Sequence, residues 1–175
     1  VIYPDWWTTN TTPGTTDMFS AIQNAINASN DVFYPIPVYI TNNNLVSNTV
    51  FIIGKKGPRL FGASMHSSRI TWGGPINVQM IVVENCESAE IDHLRIENNT
   101  TNQPNVGIQS NINPATAVAG IGITDNHFHN LFIGSVSGAG SRIDVGIKFT
   151  TTGADQNNDV SLIEKVVIQN TNTSG

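Results

Sequence analysis

The chain has 175 residues, of which 39% are apolar and 12% charged, and its formal net charge is −5. The charged share is about half of that in an ordinary soluble domain, and 22 Asn and 18 Thr supply the polarity instead. The 21 Ile and 15 Val argue against a disordered chain. Without a long apolar run or a basic run, the sequence predicts neither a membrane span nor a nucleic-acid partner.

The first predicted element is a helix over residues 17–30. Its apolar residues recur at spacings of three and four, as on one face of a helix: Met18, Ile22, Ala25 and Ile26. Thr16 or Asp17 can cap its beginning, and Asn30 suits the left-handed residue that ends it. We therefore divide the chain into an N-terminal segment with a cap helix, residues 1–31, and a β-rich part, residues 32–175.

The β-rich part begins with short strands whose centres lie about 9 to 12 residues apart, an interval typical of a sandwich, a barrel or a parallel solenoid. Six runs are separated by Gly, Pro, Asn and Ser: 38–40, 50–53, 59–61, 69–72, 80–83 and 91–96. No Asn-Gly or Asp-Gly dipeptide occurs. Because antiparallel hairpins use such dipeptides in their tight turns, their absence favours the parallel solenoid.

A loose internal repeat in the second half also favours the solenoid. Three segments share a polar, basic, apolar opening: Asp92-His-Leu-Arg-Ile-Glu-Asn98, Asn126-His-Phe-His-Asn-Leu-Phe132 and Glu164-Lys-Val-Val-Ile-Gln-Asn170. A second theme, aliphatic-Gly-Ile-polar, recurs at 106–109, 121–124 and 145–148. Gly or Asn between the strands lets the backbone take a positive φ at the corners.

The repeat predicts one inward position that Leu94, Phe128 and Val166 hold in successive coils. Alternation then places two columns outside: His93, His127 and Lys165 in the first, and Arg95, His129 and Val167 in the second. Imidazoles beside a guanidinium indicate binding of sugar hydroxyls or of a uronate carboxylate. The candidate binding residues are therefore His93, Arg95, His127, His129 and Lys165, and the alternative is that they are ordinary solvent-facing strand residues.

Candidates for catalysis and for metal binding are less well defined. Acid–base cleavage of a glycoside or binding of calcium needs carboxylates close together, and Asp92, Asp125 and Asp144 are candidates. No ligand spacing singles them out. His127 and His129 have neither a Cys nor a third ligand close in sequence, so we assign no metal site to them.

Three other features are interpreted as structural. Trp72 is expected to pack in the core, and Cys86 is expected to be a small buried apolar residue. The basic cluster of Lys55, Lys56 and Arg59 is expected to form a solvated turn.

The beginning of the chain resembles a known group. Thr15-Thr-Asp17 is followed by Ala21-Ile-Gln-Asn-Ala-Ile26, Val32-Phe-Tyr-Pro35 and Leu60-Phe-Gly62. This order resembles the opening of pectate-lyase-like right-handed β-helix proteins, in which a helix caps the first coil. The resemblance implies an all-β fold, a right-handed single-stranded parallel β-helix with a short N-terminal capping α-helix. The group includes bacteriophage tailspikes, polysaccharide lyases and polygalacturonase-like hydrolases.

The resemblance implies a function on polysaccharides. The first hypothesis is a viral tailspike or tail-fibre module that binds a cell-surface polysaccharide, with or without cleaving it. Such a module is expected to be a homotrimer or a partner of other virion proteins. The second is a secreted pectate-lyase-like or polygalacturonase-like enzyme on an acidic glycan, with calcium as cofactor only if it is a lyase. The third is a non-catalytic structural surface protein. The polygalacturonase motifs Asn-Thr-Asp, Asp-Asp, Gly-His-Gly and Arg-Ile-Lys are missing, which favours the first reading on the virion surface over an extracellular enzyme.

A solenoid has an unpaired edge at each end, and each buried unpaired backbone group costs about 1–3 kcal/mol. The predicted helix covers the first end, where Trp6 and Trp7 either fold over the coil or stack on sugars. Residues 169–175 contain no apolar capping element. We therefore expect the chain to continue beyond residue 175 or a partner to cover its last coil.

Overall fold

A computed structural model describes residues 1–29, 35–98, 100–119, 125–135, 142–151 and 161–169. These ranges contain one α-helix, two short 3-10 helices and twelve β-strands, which confirms the predicted all-β class. None of the described helices has the length and apolar character of a membrane span. The predicted helix end at Asn30, the boundary at 31–32, the segment 121–124 and residues 170–175 lie outside the described residues.

The helix α1 spans Phe19–Ala28. The strands, in chain order, are β1 Val38–Ile40, β2 Asn43–Val46, β3 Val50–Ile53, β4 Arg59–Gly62, β5 Arg69–Trp72, β6 Gln79–Glu84, β7 Glu90–Asp92, β8 Arg95–Asn98, β9 Val106–Ile112, β10 His127–Ser135, β11 Val145–Thr151 and β12 Leu162–Gln169.

Helix α1 begins two residues later than predicted, and its N-cap is Met18 instead of Thr16 or Asp17. One carboxylate oxygen of Asp17 accepts the Phe19 N–H at 3.0 Å and the Ser47 N–H at 3.2 Å. Its other oxygen accepts from the Ser47 hydroxyl at 2.5 Å. The predicted apolar face is buried at all four positions: Met18, Ile22, Ala25 and Ile26. Asp17, one residue before the N-cap, thus links the first helical residue to the turn that follows β2.

Every strand pair in the described ranges is parallel, in agreement with the missing hairpin dipeptides. One sheet has the order β1-β4-β7-β10-β8-β5-β2, with β12 also beside β10, and the other has the order β11-β9-β6-β3. From β1 to β6, each strand pairs with the strand three places later in the chain. Strand β10 is long enough to pair with β7 in its first half and with β8 in its second.

The predicted strands are confirmed with two differences. The run 91–96 divides into β7 and β8 because His93 takes a φ of 52° and turns the chain. Strand β2 was not predicted because it begins with two Asn residues. It forms because it pairs with β5 and because the buried amide of Asn44 donates to carbonyls of Thr41, Asn42 and Arg69.

Left-handed residues mark the corners of the chain, both between strands and within β10, and Asn is frequent among them, as predicted. Asn42, Asn77, Asn85 and Asn130 have positive φ values between 46° and 60°. The register of β10 with β8 and β12 aligns His93 with Asn130 of β10 and Lys165 of β12, and all three have a φ of 51° or 52°.

The core lies between the two sheets and holds the residues expected there. Trp72 is fully buried, and its indole N–H donates to the Pro75 carbonyl at 3.1 Å. Cys86 is buried as well, and this burial raises the pKa of its thiol to about 11. Asn126 joins the sheets across the core, since its side chain accepts from the Ala89 N–H at 3.0 Å and donates to Ser110 Oγ at 3.2 Å.

The predicted inward position is wrong at its middle member. Val166 pairs with Leu131 of β10. Leu131 is also level with Leu94, since the next residues, Phe132 and Arg95, are paired. Phe128 pairs with Ile91 instead. The inward residues Ile91 and Leu94 lie three positions apart, as do Phe128 and Leu131. A shift of the alignment by three residues therefore still places one apolar side chain beside another. The repeat therefore could not reveal the correct register.

Candidate functional site

The outer face of β4, β7 and β10 gathers charged and imidazole side chains. In the pairing of β7 with β10, His127 lies beside Glu90 and His129 beside Asp92. In the pairing of β4 with β7, Arg59 lies beside Glu90. We call this group the His–carboxylate cluster, and its members are Arg59, Glu90, Asp92, His93, His127 and His129.

Arg59 links the two carboxylates of β7. Its Nε lies 3.1 Å from Glu90 Oε2, and its Nη2 lies 2.5 Å from Asp92 Oδ2. The side chain of Asp92 has no exposed surface, whereas 38% of the Arg59 side chain is exposed. The guanidinium also lies 4.6 Å from the centroid of the Phe61 ring. Arg59 therefore neutralises a buried carboxylate from a sheet position, and the prediction that it belongs to a solvated turn is wrong.

His129 contacts both carboxylates from the neighbouring strand. Its Nε2 lies 2.6 Å from Glu90 Oε1 and 3.5 Å from Asp92 Oδ2. Its Nδ1 lies 2.7 Å from the side-chain nitrogen of Asn130. Because an amide nitrogen donates, Nδ1 accepts, and the ring hydrogen of neutral His129 is on Nε2, directed at Glu90.

His127 stands beside His129 and lines a cleft. The two ring centroids are 4.1 Å apart at an angle of 30°. The Nε2 of His127 is buried and has no hydrogen-bond partner among the described residues, and the nearest carboxylate is Glu164 Oε2, at 3.9 Å. The cleft has a volume of about 270 Å³ and is lined by Ser88, Glu90, Asp125, His127 and Leu162.

Three members of the cluster have the donor atoms of a metal site. One ligand atom each from Glu90, His127 and His129 can be chosen so that all three lie within 4.8 Å of one another. Two imidazoles and a carboxylate suit zinc and related transition metals, whereas calcium prefers oxygen ligands alone. This part of the molecule therefore does not favour calcium. The sequence did not point to Glu90 as a third candidate ligand, because Glu90 precedes His129 by 39 positions.

The structure brings together three of the five predicted binding residues, His93, His127 and His129. Arg95 lies on β8, with its Nε 2.6 Å from Glu97 Oε2. The side chain of Lys165 is 70% exposed, and its Nζ lies 3.5 Å from Glu164.

The predicted alignment of residues in the two outward columns is therefore wrong. In the first, His127 pairs with Glu90 and Leu162 and does not lie level with His93. In the second, Phe132 and not His129 pairs with Arg95 and Val167. Both errors have the same cause as the slip at the inward position.

The three candidate carboxylates lie in different surroundings. Asp92 is covered by Arg59 and by two histidines. Asp125 is exposed on the wall of the cleft, and its Oδ2 lies 3.5 Å from Ser88 Oγ. Asp144 forms an ion pair of 2.9 Å with Arg142 and lies outside the cluster. Glu90 was not singled out, although its position two residues before Asp92 on one strand indicated the same face.

A row of aromatic side chains continues the outer face away from the cluster. Adjacent ring centroids are 5.6 Å apart for Trp6 and Tyr3, 5.6 Å for Tyr3 and Tyr39, and 5.0 Å for Tyr39 and Phe61. In register, Phe61 lies between Tyr39 and Asp92. We call these four residues the aromatic row, and it leads directly into the His–carboxylate cluster.

Comparisons with models of protein families, with curated proteins and with solved structures find nothing that matches this chain.

Proposed function

We propose that this chain is a module of a viral tailspike or tail fibre and binds a cell-surface polysaccharide along the outer face of β1, β4, β7 and β10. The proposal includes a right-handed single-stranded parallel β-helix of the pectate-lyase-like type, trimeric assembly and a place on the virion surface. Parallel pairing of each early strand with the strand three places later supports this type of fold. Such pairing returns the chain beside itself after every third strand, as a solenoid does.

One observation carries the proposal: the aromatic row leads into the His–carboxylate cluster on a single face. Aromatic rings provide flat apolar area against which the faces of sugar rings pack. Imidazole, guanidinium and carboxylate groups donate or accept hydrogen bonds, as sugar hydroxyls require. Because neighbouring strands are about 4.8 Å apart, the face offers regularly spaced contacts to an extended chain of sugars.

The charges of this face favour a neutral polysaccharide over a polyuronate. Glu90, Asp125 and Glu164 present partly or fully exposed carboxylates around His127. Arg59 already contacts both Glu90 and Asp92. A uronate carboxylate would therefore meet like charge over most of the cluster, whereas hydroxyl groups would not.

Fluorescence titration of the protein tests the proposal. The ligands are a panel of bacterial surface polysaccharides and polygalacturonate. We expect saturable binding of at least one neutral polysaccharide, with affinity reduced tenfold or more in Tyr39→Ala and in Phe61→Ala. Phe51→Ala is the matched control, because Phe51 is 42% exposed on the other sheet. Absence of binding across the panel, or an equal loss in Phe51→Ala, would contradict the proposal.

A secreted carbohydrate-active enzyme is the second candidate, and one observation favours it. Glu90 and Asp125 line the same cleft as His127, and a pair of carboxyl groups is what acid–base cleavage of a glycoside needs. Release of reducing ends or unsaturated uronates by a monomer, abolished in Glu90→Gln and Asp125→Asn, would establish this candidate. A detergent-resistant trimer that binds without releasing product would favour the virion module.

A further inference from the structure

We propose that Glu90, His127 and His129 form a binding site for one divalent transition-metal ion of the zinc type. The proposal concerns the metal alone and does not depend on binding of a polysaccharide. It starts from three donor groups that the sheet places on two neighbouring strands, Glu90 on β7 and the two histidines on β10.

The donor atoms are close enough for small side-chain rotations to complete the site. They lie within 4.8 Å of one another, whereas ligands around a tetrahedral zinc ion are roughly 3.3 Å apart, given metal–ligand bonds near 2.0–2.2 Å. The contact of 2.6 Å between His129 Nε2 and Glu90 Oε1 already brings two of them together. Glu90 and His127 keep 31% and 33% of their side-chain surface exposed, so both have space to rotate.

His127 contributes the strongest single observation. Its Nε2 is buried and has no hydrogen-bond partner in the described part of the chain. Leaving a buried polar atom without a partner is unfavourable, and a metal ion would supply the missing partner. The ring lies 4.1 Å from that of His129, so the two imidazoles can serve one ion.

The charge around the site favours a cation despite the nearby Arg59. Buried Asp92 accepts two hydrogen bonds from the guanidinium and balances its charge. Glu90 turns one oxygen to Arg59 and the other to His129, so a ligand oxygen remains on the histidine side. Glu164 and Asp125 add further negative charge beside His127.

Asn130 is placed to make the outer contact that a metal-bound imidazole requires, after a rotation of its amide. Its amide lies 2.7 Å from His129 Nδ1. If the amide rotates to present its oxygen, Nδ1 carries the hydrogen and Nε2 becomes free to bind the metal. Glu90 and His127 line the same cleft as Asp125 and Ser88, so water from the cleft would complete a tetrahedral set around a bound ion.

Isothermal titration of the chelator-stripped protein with ZnCl₂ tests this proposal. We expect one equivalent to bind, and Glu90→Gln and His127→Gln, which retain side-chain volume, to lower the affinity tenfold or more. His93→Ala is the matched control, since His93 contacts Asp92 in the same cluster but lies outside the triad. Calcium at millimolar concentration should leave the zinc titration unchanged.

Three results would overturn the proposal: no saturable binding of zinc, equal affinity in the triad variants and the parent, or a loss in His93→Ala as large as that in His127→Gln. Thermal unfolding of each metal-free variant shows whether it folds, and Co²⁺ absorption in the visible range gives a second readout of coordination in the variants. Tyr39→Ala should retain full zinc affinity, so failure of the polysaccharide proposal would be distinguishable from failure of the metal site.

Discussion

The Nε2 atom of His129 lies 2.6 Å from Oε1 of Glu90, although 39 positions separate these residues in the chain. The contact exists because β7 and β10 are neighbours in one parallel sheet. Strand alternation then sends the carboxylates of β7 and the imidazoles of β10 to the same outer face. Both proposals for this protein depend on this register.

The buried carboxylate of Asp92 should matter more for stability than an exposed one. In Asp92→Asn, the Arg59 guanidinium loses a charge-assisted partner that has no exposed surface. We expect the free energy of unfolding to fall by about 1–3 kcal/mol. Asp144→Asn is the control, because its ion pair with Arg142 is 40% exposed on both sides, and it should change stability by less than about 1 kcal/mol. Urea denaturation measures both values, and equal effects would contradict this assignment.

Two phenylalanines of β10 should differ sharply because they face opposite sides of the sheet. Phe128 is fully buried, and Phe128→Ala should cost about 3–5 kcal/mol through lost packing and the cavity that remains. Phe132 lies on the outer face, and its ring centroid is 4.2 Å from the guanidinium carbon of Arg95. Phe132→Ala should cost about 1 kcal/mol. Thermal and denaturant unfolding test the pair, and similar losses would show that the orientation of β10 is wrong.

Lys165 should be replaceable by glycine with a gain in stability. Its φ of 51° is left-handed, which costs a residue with a Cβ about 1–2 kcal/mol, while glycine adds back about 0.5–1 kcal/mol in chain entropy. We expect Lys165→Gly to raise the free energy of unfolding by about 0.5–1 kcal/mol. Lys148→Gly, on exposed strand β11, should lower it by a similar amount. Effects of the same sign would contradict the corner geometry.

The thiol of Cys86 should make stability fall at alkaline pH. Burial raises its pKa from 9.0 to about 11, so the unfolded chain loses this proton at lower pH than the folded one. The contribution is fully present below pH 9 and is lost between pH 9 and 11, by roughly 3 kcal/mol in total. Because other groups titrate in this range, the test compares the pH dependence of unfolding in the parent and in Cys86→Ala. Equal slopes from pH 9 to 11 would contradict the prediction.

Local features of the fold followed from the sequence because they depend on neighbouring residues. The spacing of Met18, Ile22 and Ala25 determined which side of α1 is buried. Short apolar runs between turn residues located β1, β3 and β5. Strand β2 was not predicted because its two leading Asn residues disfavour a strand. In the folded chain, pairing with β5 and the buried amide of Asn44 stabilise it.

The candidate site was only partly predictable, because its contacts join residues that are far apart in the sequence. The sequence selected His93, His127 and His129, which the structure brings together. It did not select Arg59 or Glu90 for the site. Their contacts come from strands that pair across about 30 to 40 positions of the sequence, and the lengths of the connecting segments do not determine which of these strands pair.

A short window of sequence was therefore enough to predict helix α1, most strand positions and the preference for parallel pairing. The tertiary structure alone decided the register. Inward residues recur three apart around the corner at His93 and again around the corner at Asn130, so the sequence fits two alignments equally well. In the structure Phe128 lies beside Ile91, and this register places Glu90 beside His127 in the candidate site.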